Sequence, residues 1–488
     1  MGRLERIAAE GATALAESPD KRESWRWRWF STGSILGLVF GFFFFGLPAV
    51  TGLVFTAPIT LFPIPWKDLT ASTENLLPAT PMAISFDLGG ILWGMVLPYW
   101  MVVGQFAAMV VSIICNPFLQ KAGLYPTWHK GMDVLSTQFA IGFDFWISVG
   151  AGITFSVALI GLWQLYRSVS ARRKGGGGKQ ASDMDILMGK EGNLMVGGGG
   201  GSWKPPKGRG DFPIWIALAM FLVSTGGFVW LCHRLVPGFP VWILAFFGFV
   251  WTPLISYVSA RMIGLTGGGI GFPFVKEGTL ILSGYKGVDI WFAPYPMNDY
   301  GGVTLLFKQL DLTRTKFTSI IKAELLMMPL NIVFSFVFWA FFWYLSSIPS
   351  SSFPFVDKIW PFNALTSSLW MTATMEGRQW VLEALKAKWI ATGLVGGVAL
   401  YAGLAAFKLP FFLFYGVVSG INAMPSGPIY TLTGALLGRY YFAKRFGEER
   451  WFKFAAVLGA GFACGMGLMG MLVVGFTIVT GSVVTKPF

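Results

Sequence analysis

Stretches free of Asp, Glu, Lys and Arg dominate the chain, and nine of them reach membrane-crossing length: 30–66, 88–120, 145–166, 212–233, 235–260, 325–356, 389–407, 409–438 and 454–485. A helix crossing about 30 Å of hydrocarbon at 1.5 Å per residue needs about 20 apolar residues. Several runs exceed that and have room for broken or re-entrant pieces. The pattern predicts an all-α polytopic membrane protein with about eight to ten transmembrane helices, some broken, and re-entrant hairpins.

Polar segments divide the chain. In residues 1–29 the charges have both signs, and the segment ends in Trp25, Arg26, Trp27, Arg28 and Trp29. Indole rings settle among headgroups and arginine snorkels, so this is an interfacial, cytoplasmic anchor rather than a signal peptide. Residues 170–211 hold eight Lys or Arg and the glycine runs Gly175–Gly178 and Gly197–Gly201. That composition predicts a flexible cytoplasmic linker between a first bundle (30–169) and a second (212–488). The cluster Arg439, Lys444, Arg445, Arg450 and Lys453 belongs on the same side. A full crossing at 409–438 would put it outside, so a re-entrant hairpin broken within Asn422–Pro428 is expected. The first bundle needs one further re-entry or crossing, with Pro63–Asp87 and Met132–Phe145 as the candidate places, to bring the linker to the cytoplasm.

Composition narrows the class. With 54% hydrophobic and 12% charged residues among 488, neither a soluble domain nor a disordered chain fits. A net charge of +13 is accounted for by anionic membrane lipids and the positive-inside rule, without nucleic acid. Cys115, Cys232, Cys464, His129 and His233 are scattered. No metal, haem or other cofactor is therefore expected. An enzyme is not expected either, for want of a His/Asp/Glu cluster.

Non-helical backbone at membrane depth is tolerated only in protein or against a watery cavity, so such segments mark candidate sites. Around Pro253 lie Ser256, Tyr257, Ser259 and Arg261, ahead of a glycine break with Gly268 and Gly269. No strand precedes those glycines and no Gly-Lys-Ser/Thr follows, which argues against a nucleotide loop. The stretch 285–300 interleaves Tyr285, Asp289, Asn298 and Asp299 with prolines and aromatics, as a pocket wall would. Asn422 and Ser426 flank the hairpin break. Asp87 and Asp144 each abut a long apolar run and are the candidates for a coupling proton.

Ile255–Gly267 (ISYVSARMIGLTG) resembles the signature of the oligopeptide transporter (OPT) superfamily. Pro410–Gly438, with Met424-Pro-Ser-Gly427, and Val457–Gly470 are similar to the C-terminal part of that family. In the first bundle, Leu77–Pro81, Ile84–Asp87, Gly131–Asp133 and Asp144–Trp146 resemble uncharacterised prokaryotic membrane proteins of the same type. The resemblance implies internal repeats, half-helices at a repeat interface and alternating access for peptides or metal complexes. It also implies a prokaryotic inner membrane. Nine runs are fewer than such an architecture holds, so a second membrane subunit or a homo-oligomer is expected to complete it.

The leading expectation is a secondary transporter, or a subunit of one, for small peptides or related polar solutes, with the proton as candidate coupling ion. No Walker motif suggests ATP coupling. The alternative is a non-transporting structural subunit of a larger membrane complex.

Overall fold

The computed structural model describes residues 24–55, 59–63, 66–173, 210, 213–266, 274–313, 315–345, 347–348, 354–375 and 380–483. It is that of an all-α polytopic membrane protein: among the described residues, eight helices are long and apolar enough to cross a bilayer. The one sheet among these residues is the antiparallel pair β1 (Lys67–Asp68) and β2 (Ala83–Ile84). The major helices begin with α1 (Ser24–Gly41), α2 (Leu47–Val54), α3 (Leu88–Val96), α4 (Tyr99–Lys121), α5 (Val134–Ile141) and α6 (Ile147–Arg173). Then come α7 (Ile214–Leu235), α8 (Val241–Phe246), α9 (Thr252–Thr266), α10 (Val275–Leu282), α11 (Asp289–Phe292), α12 (Val303–Leu312), α13 (Phe317–Leu345) and α14 (Pro354–Met371). The last are α15 (Trp380–Ala384), α16 (Ala387–Ala406), α17 (Phe412–Gly420), α18 (Ser426–Leu436), α19 (Ala443–Phe446) and α20 (Glu448–Val483).

Packing groups these helices into two compact units that the chain order does not suggest. One, the terminal unit, joins residues 3–141 to 412–488; the other, the central unit, is 142–411. The sequence reads a division at the basic linker, whereas the contacts divide at 141/142 and 411/412. The physical reason lies in the glycines of the last helix. Gly461 and Gly465 of α20 press against the carbonyls of Phe30 and Ser34, while Gly33 and Gly37 of α1 press against those of Leu458 and Phe462. Residue numbers rise together along both helices, so the first and last helices run parallel at backbone contact. Most of the linker, 174–209, lies outside the described residues, as does the segment 1–23.

The same contact recurs twice more in the terminal unit. Gly104 of α4 meets Leu413, and Gly416 and Gly420 of α17 meet Met101 and Gln105, which makes α4 and α17 parallel. Gly94 of α3 meets Thr431, Gly434 of α18 meets Ile91, and Gly438 comes up to Met95, which makes α3 and α18 parallel. Beyond Gly420 the chain reaches the level of Ser112, where the Asn422 N–H donates to Ser112 Oγ at 3.1 Å. It then turns back, and Thr431 faces Gln105. Residues 412–436 therefore form a re-entrant hairpin, broken as the sequence predicts. Its tip reaches Ser112, thirteen residues from the start of α4, or about 20 Å into a helix about 35 Å long. The 88–120 run breaks too, at Leu97–Pro98. Because α3 is parallel to the returning arm, it is a half-helix descending beside the hairpin. This half-helix, at Leu88–Val96, lies outside both segments, 63–87 and 132–145, in which the sequence places a further re-entry or crossing. Asp68 secures the preceding stretch: its Oδ1 accepts from the Thr70 N–H at 2.8 Å and its Oδ2 from the Val134 N–H, at the first turn of α5, at 2.7 Å.

In the central unit α6 and α16 form a fourth parallel pair, with Gly152 on the Ile390 carbonyl, Gly393 on that of Val149 and Gly397 on Ser156. A buried cluster of Cys232, Val236, Phe239, Leu244, Leu280 and Ile290 ties the end of α7 to α8, α10 and α11. By contrast none of the α13 span is buried. Its face is Leu, Met, Phe, Val and Trp on all sides, the composition of a helix coated by lipid rather than by another backbone.

Close approach gives a direct test. A Cβ at Gly152 collides with the Ile390 carbonyl, whereas one at Gly150, on the same helix, meets nothing within 4 Å. Gly152→Val is expected to destabilise the detergent-solubilised protein by at least about 1–3 kcal/mol, seen as a lowered unfolding temperature, while Gly150→Val leaves it near the parent value.

Candidate functional site

The hairpin tip is where backbone leaves the helix at depth. Asn422 has φ 56°, a left-handed conformation that asparagine tolerates better than branched residues. Its N–H is held by Ser112, and its carbonyl accepts from Gln138 Nε2 at 3.1 Å. Ser112 is buried and shares a face of α4 with Gln105 and with Asn116, also buried, at separations of seven and four residues. Asn116 Oδ1 accepts from the Tyr125 hydroxyl at 2.9 Å. Gln138 Oε1 and Thr137 Oγ1 are buried without a hydrogen-bond partner.

The half-helices on either side begin near the tip. Ser426 starts α18, and Asp87 caps α3, its carbonyl accepting from the Ile91 N–H at 3.3 Å. The Asp87 carboxylate folds over the first turn, where a Cβ at Gly90 would lie 2.8 Å from Oδ2; Asp87 is exposed. The Tyr430 hydroxyl donates to the Ser85 carbonyl and lies 3.2 Å from Ser85 Oγ, fastening the two starts together. Of the sequence candidates, Asp87, Asn422 and Ser426 are thus set around one broken hairpin. Sequence reasoning missed Ser112, Gln105 and Gln138. Their signal was neutral polarity recurring on one face inside charge-free runs.

The central unit gathers a different set. Thr252, Ser256 and Ser259 recur on one face of α9 and fasten the segment 296–301. Thr252 Oγ1 donates to the Pro296 carbonyl and accepts from the Asn298 N–H, both at 3.3 Å. Ser256 Oγ accepts from the Tyr300 N–H at 3.0 Å. Buried Ser259 lies so close to Gly301 that a Cβ there would sit 2.6 Å from it. Asp299 Oδ1 accepts from the Gly301 N–H at 2.7 Å, and Asn298 Nδ2 donates to the Tyr300 hydroxyl at 3.3 Å. These hydroxyls act as struts for a loop. Tyr257 is exposed. The Arg261 side chain, Gly268 and Gly269 lie outside the described residues.

The Tyr285 hydroxyl donates to Asp289 at 2.8 Å; burial first, and then this bond, raises its pKa above that of an ordinary tyrosine. Phe239 touches the rings of both Tyr285 and Tyr295. The Tyr295 hydroxyl is buried without a hydrogen-bond partner among the described residues, and burial pushes its ionisation far upward. Asp144, 2% exposed, sits in a π-helical turn at Gly142–Trp146. The Lys386 ammonium donates to its backbone carbonyl at 3.1 Å, and buried Ser148 Oγ links the Ala384 carbonyl to the Lys386 N–H. A π turn displaces helical carbonyls from their usual donors, and here Lys386 meets one. Neither Lys386 nor Ser148 stood out in the sequence. Among the described residues no three of His, Cys, Asp and Glu converge as metal ligands would.

No protein-family model matches the chain, and no curated protein matches it.

For Tyr295 and Tyr285 the folded pKa lies above the unfolded value of about 10, so their contribution to stability is complete below that pH and is lost as pH rises through the folded value. Tyr295→Phe removes a buried hydroxyl that lacks a partner, which costs about 1–3 kcal/mol. The variant is expected to unfold at a higher temperature at pH 7 and to lose less stability in alkali. Destabilisation at pH 7 would reveal a partner for that hydroxyl.

Proposed function

We propose that the protein is a secondary transporter of oligopeptide-transporter type, or one subunit of such a transporter, and that the solute pathway passes the hairpin tip at Asn422. The observation that carries this reading is a left-handed backbone break about 20 Å along α4, held by Ser112 and Gln138. Broken backbone at such depth is tolerated where it lines a cavity or is buried in protein, and transporters use paired discontinuous helices to form their sites. Here α3 and α18 both start near the tip. The first N–H groups of a helix have no partner within it and carry a partial positive charge. Such ends suit the carboxylate and carbonyl oxygens of a small peptide. Neutral amides and hydroxyls nearby suit its N–H groups. Asp87, at the head of α3, and Asp144 are the groups proposed to exchange the coupling proton.

Open glycine faces support a partner. Gly226 and Gly227 of α7, and Gly467 and Gly470 of α20, meet nothing within 4 Å, although helices in lipid associate through such small residues. The proposed complement is a second membrane subunit or another copy of this chain, in a prokaryotic inner membrane with 170–211 cytoplasmic.

Reconstituted uptake of labelled di- and tripeptides tests the site. Asn422→Gly keeps the left-handed φ and is expected to retain uptake. Asn422→Val, strained by about 1–3 kcal/mol, is expected to lose at least tenfold while still inserting in the membrane. Equal uptake by both variants would remove the tip from the pathway, and no peptide-dependent flux in the parent would leave the structural-subunit reading. Mass measurement in mild detergent tests the partner: a transport-competent particle of 53.5 kDa would refute it.

A further inference from the structure

Parallel packing has a second result in the terminal unit. Helices α1, α4, α17 and α20 all start at one end of it, and α3 and α18 point back toward that end. Two segments far apart in sequence, 25–29 and 439–454, meet there, each interleaving cations with aromatic rings. Trp29 of α1 packs on Phe446 at 5.6 Å, on Trp451 at 5.9 Å and on Phe454 at 5.1 Å between ring centroids. Trp25 packs on Phe454 at 4.9 Å, and Phe442 stacks on Trp451 at 4.2 Å. The ring contacts bring two cation-bearing stretches of backbone to the same end of the unit. Arg28 adjoins Trp29, Arg445 adjoins Phe446, and Arg450 and Lys453 flank Trp451 and Phe454. A fourth contact joins α4, where the Arg439 guanidinium lies 4.6 Å from the Tyr99 ring centroid.

Charge at this end is one-sided. The described parts of these segments hold Arg26, Arg28, Arg439, Lys444, Arg445, Arg450 and Lys453 against only two acidic residues, Glu448 and Glu449. Within the described residues Arg439 and Arg445 make aromatic or hydroxyl contacts rather than ion pairs. Trp27, Trp100, Tyr440 and Tyr441, on the same segments and beside Tyr99, are exposed. Cations that hold a phosphate, set beside exposed rings that lie along acyl chains, are the complement of one molecule class. We propose that this end of the terminal unit is a binding site for anionic phospholipid. The phosphodiester sits among Arg439, Lys444, Arg445 and Arg450, with the chains along Tyr440 and Trp100. A soluble acidic ligand would need only the cations; the exposed aromatics beside them, of the kind that settle at the headgroup level, are what favours a lipid.

The test uses the full-length protein in mild detergent, titrated with phosphatidylglycerol or phosphatidylcholine while unfolding temperature and bound lipid, by native mass spectrometry, are followed. Phosphatidylglycerol is expected to stabilise and remain bound, phosphatidylcholine to do neither, and the difference to shrink with salt. Each neutralised cation is expected to weaken binding about fivefold. Arg439→Gln/Lys444→Gln/Arg445→Gln should therefore lose on the order of a hundredfold, and Arg450→Gln/Lys453→Gln, a separate variant should the first fail to fold, about 25-fold. Lys121→Gln, at the far end of α4, should change nothing. Equal retention of the two lipids, stabilisation by glycerol 3-phosphate alone as large as by the lipid, or unchanged preference in a folded cation variant would overturn the proposal.

Discussion

Helix backbones in this protein touch. In lipid there is no hydrophobic gain from bringing two apolar helices together, so association rests on how closely their surfaces fit. At four parallel pairs, glycine on one helix admits a carbonyl of the other, and in each pair the favour is returned: Gly152 and Gly393, Gly94 and Gly434, Gly104 and Gly416, Gly33 and Gly461. The approach brings Cα–H groups against carbonyl oxygens, a weak attraction worth about 0.5–1 kcal/mol each that gains from repetition. It also fixes register, because the next residue along either helix carries a side chain that cannot enter the gap.

Register decides depth. With Gly416 and Gly420 locked against Met101 and Gln105, the chain has only two residues left before Asn422 comes level with Ser112. The break can therefore happen only where α4 presents a hydroxyl and α5 presents an amide. An unpaired backbone group there would cost several kcal/mol, so the glycine contacts and the polar side chains act on the same element from two sides. One sets the depth of the turn, and the other makes the turn tolerable. Lys386 at the π turn of Asp144 follows the same rule in the central unit, with a cation in the place of an amide.

Much of this was legible in the sequence because its signals are local. Charge-free length marks the spans, and Pro425 with Pro428 marks the hairpin break; both depend only on neighbours along the chain. The grouping of Ser256, Ser259, Asn298 and Asp299 was legible as polarity between prolines and glycines. Its geometry was not: whether a serine hydroxyl faces a cavity or a loop N–H is set by residues more than forty positions away. Ser112 and Gln138 were hidden for a related reason, since a lone serine or glutamine in an apolar run carries no charge and disturbs no helix. The joining of the first and last helices into one unit was hidden as well. Glycine at Gly33, Gly37, Gly461 and Gly465 announces close packing, but any glycine face fits any other.

Neutral side chains at the hairpin tip fit the energetics of depth. A charge at the bilayer centre costs at least about 2.5 kcal/mol, and much more on an isolated helix. A hydroxyl or amide already paired with backbone carries little of that cost. Polarity around Asn422 accordingly comes from Ser112, Gln138 and Gln105, while the nearest acidic candidate, Asp87, is exposed at the head of α3. Polar groups can therefore be kept at depth without a permanent charge there.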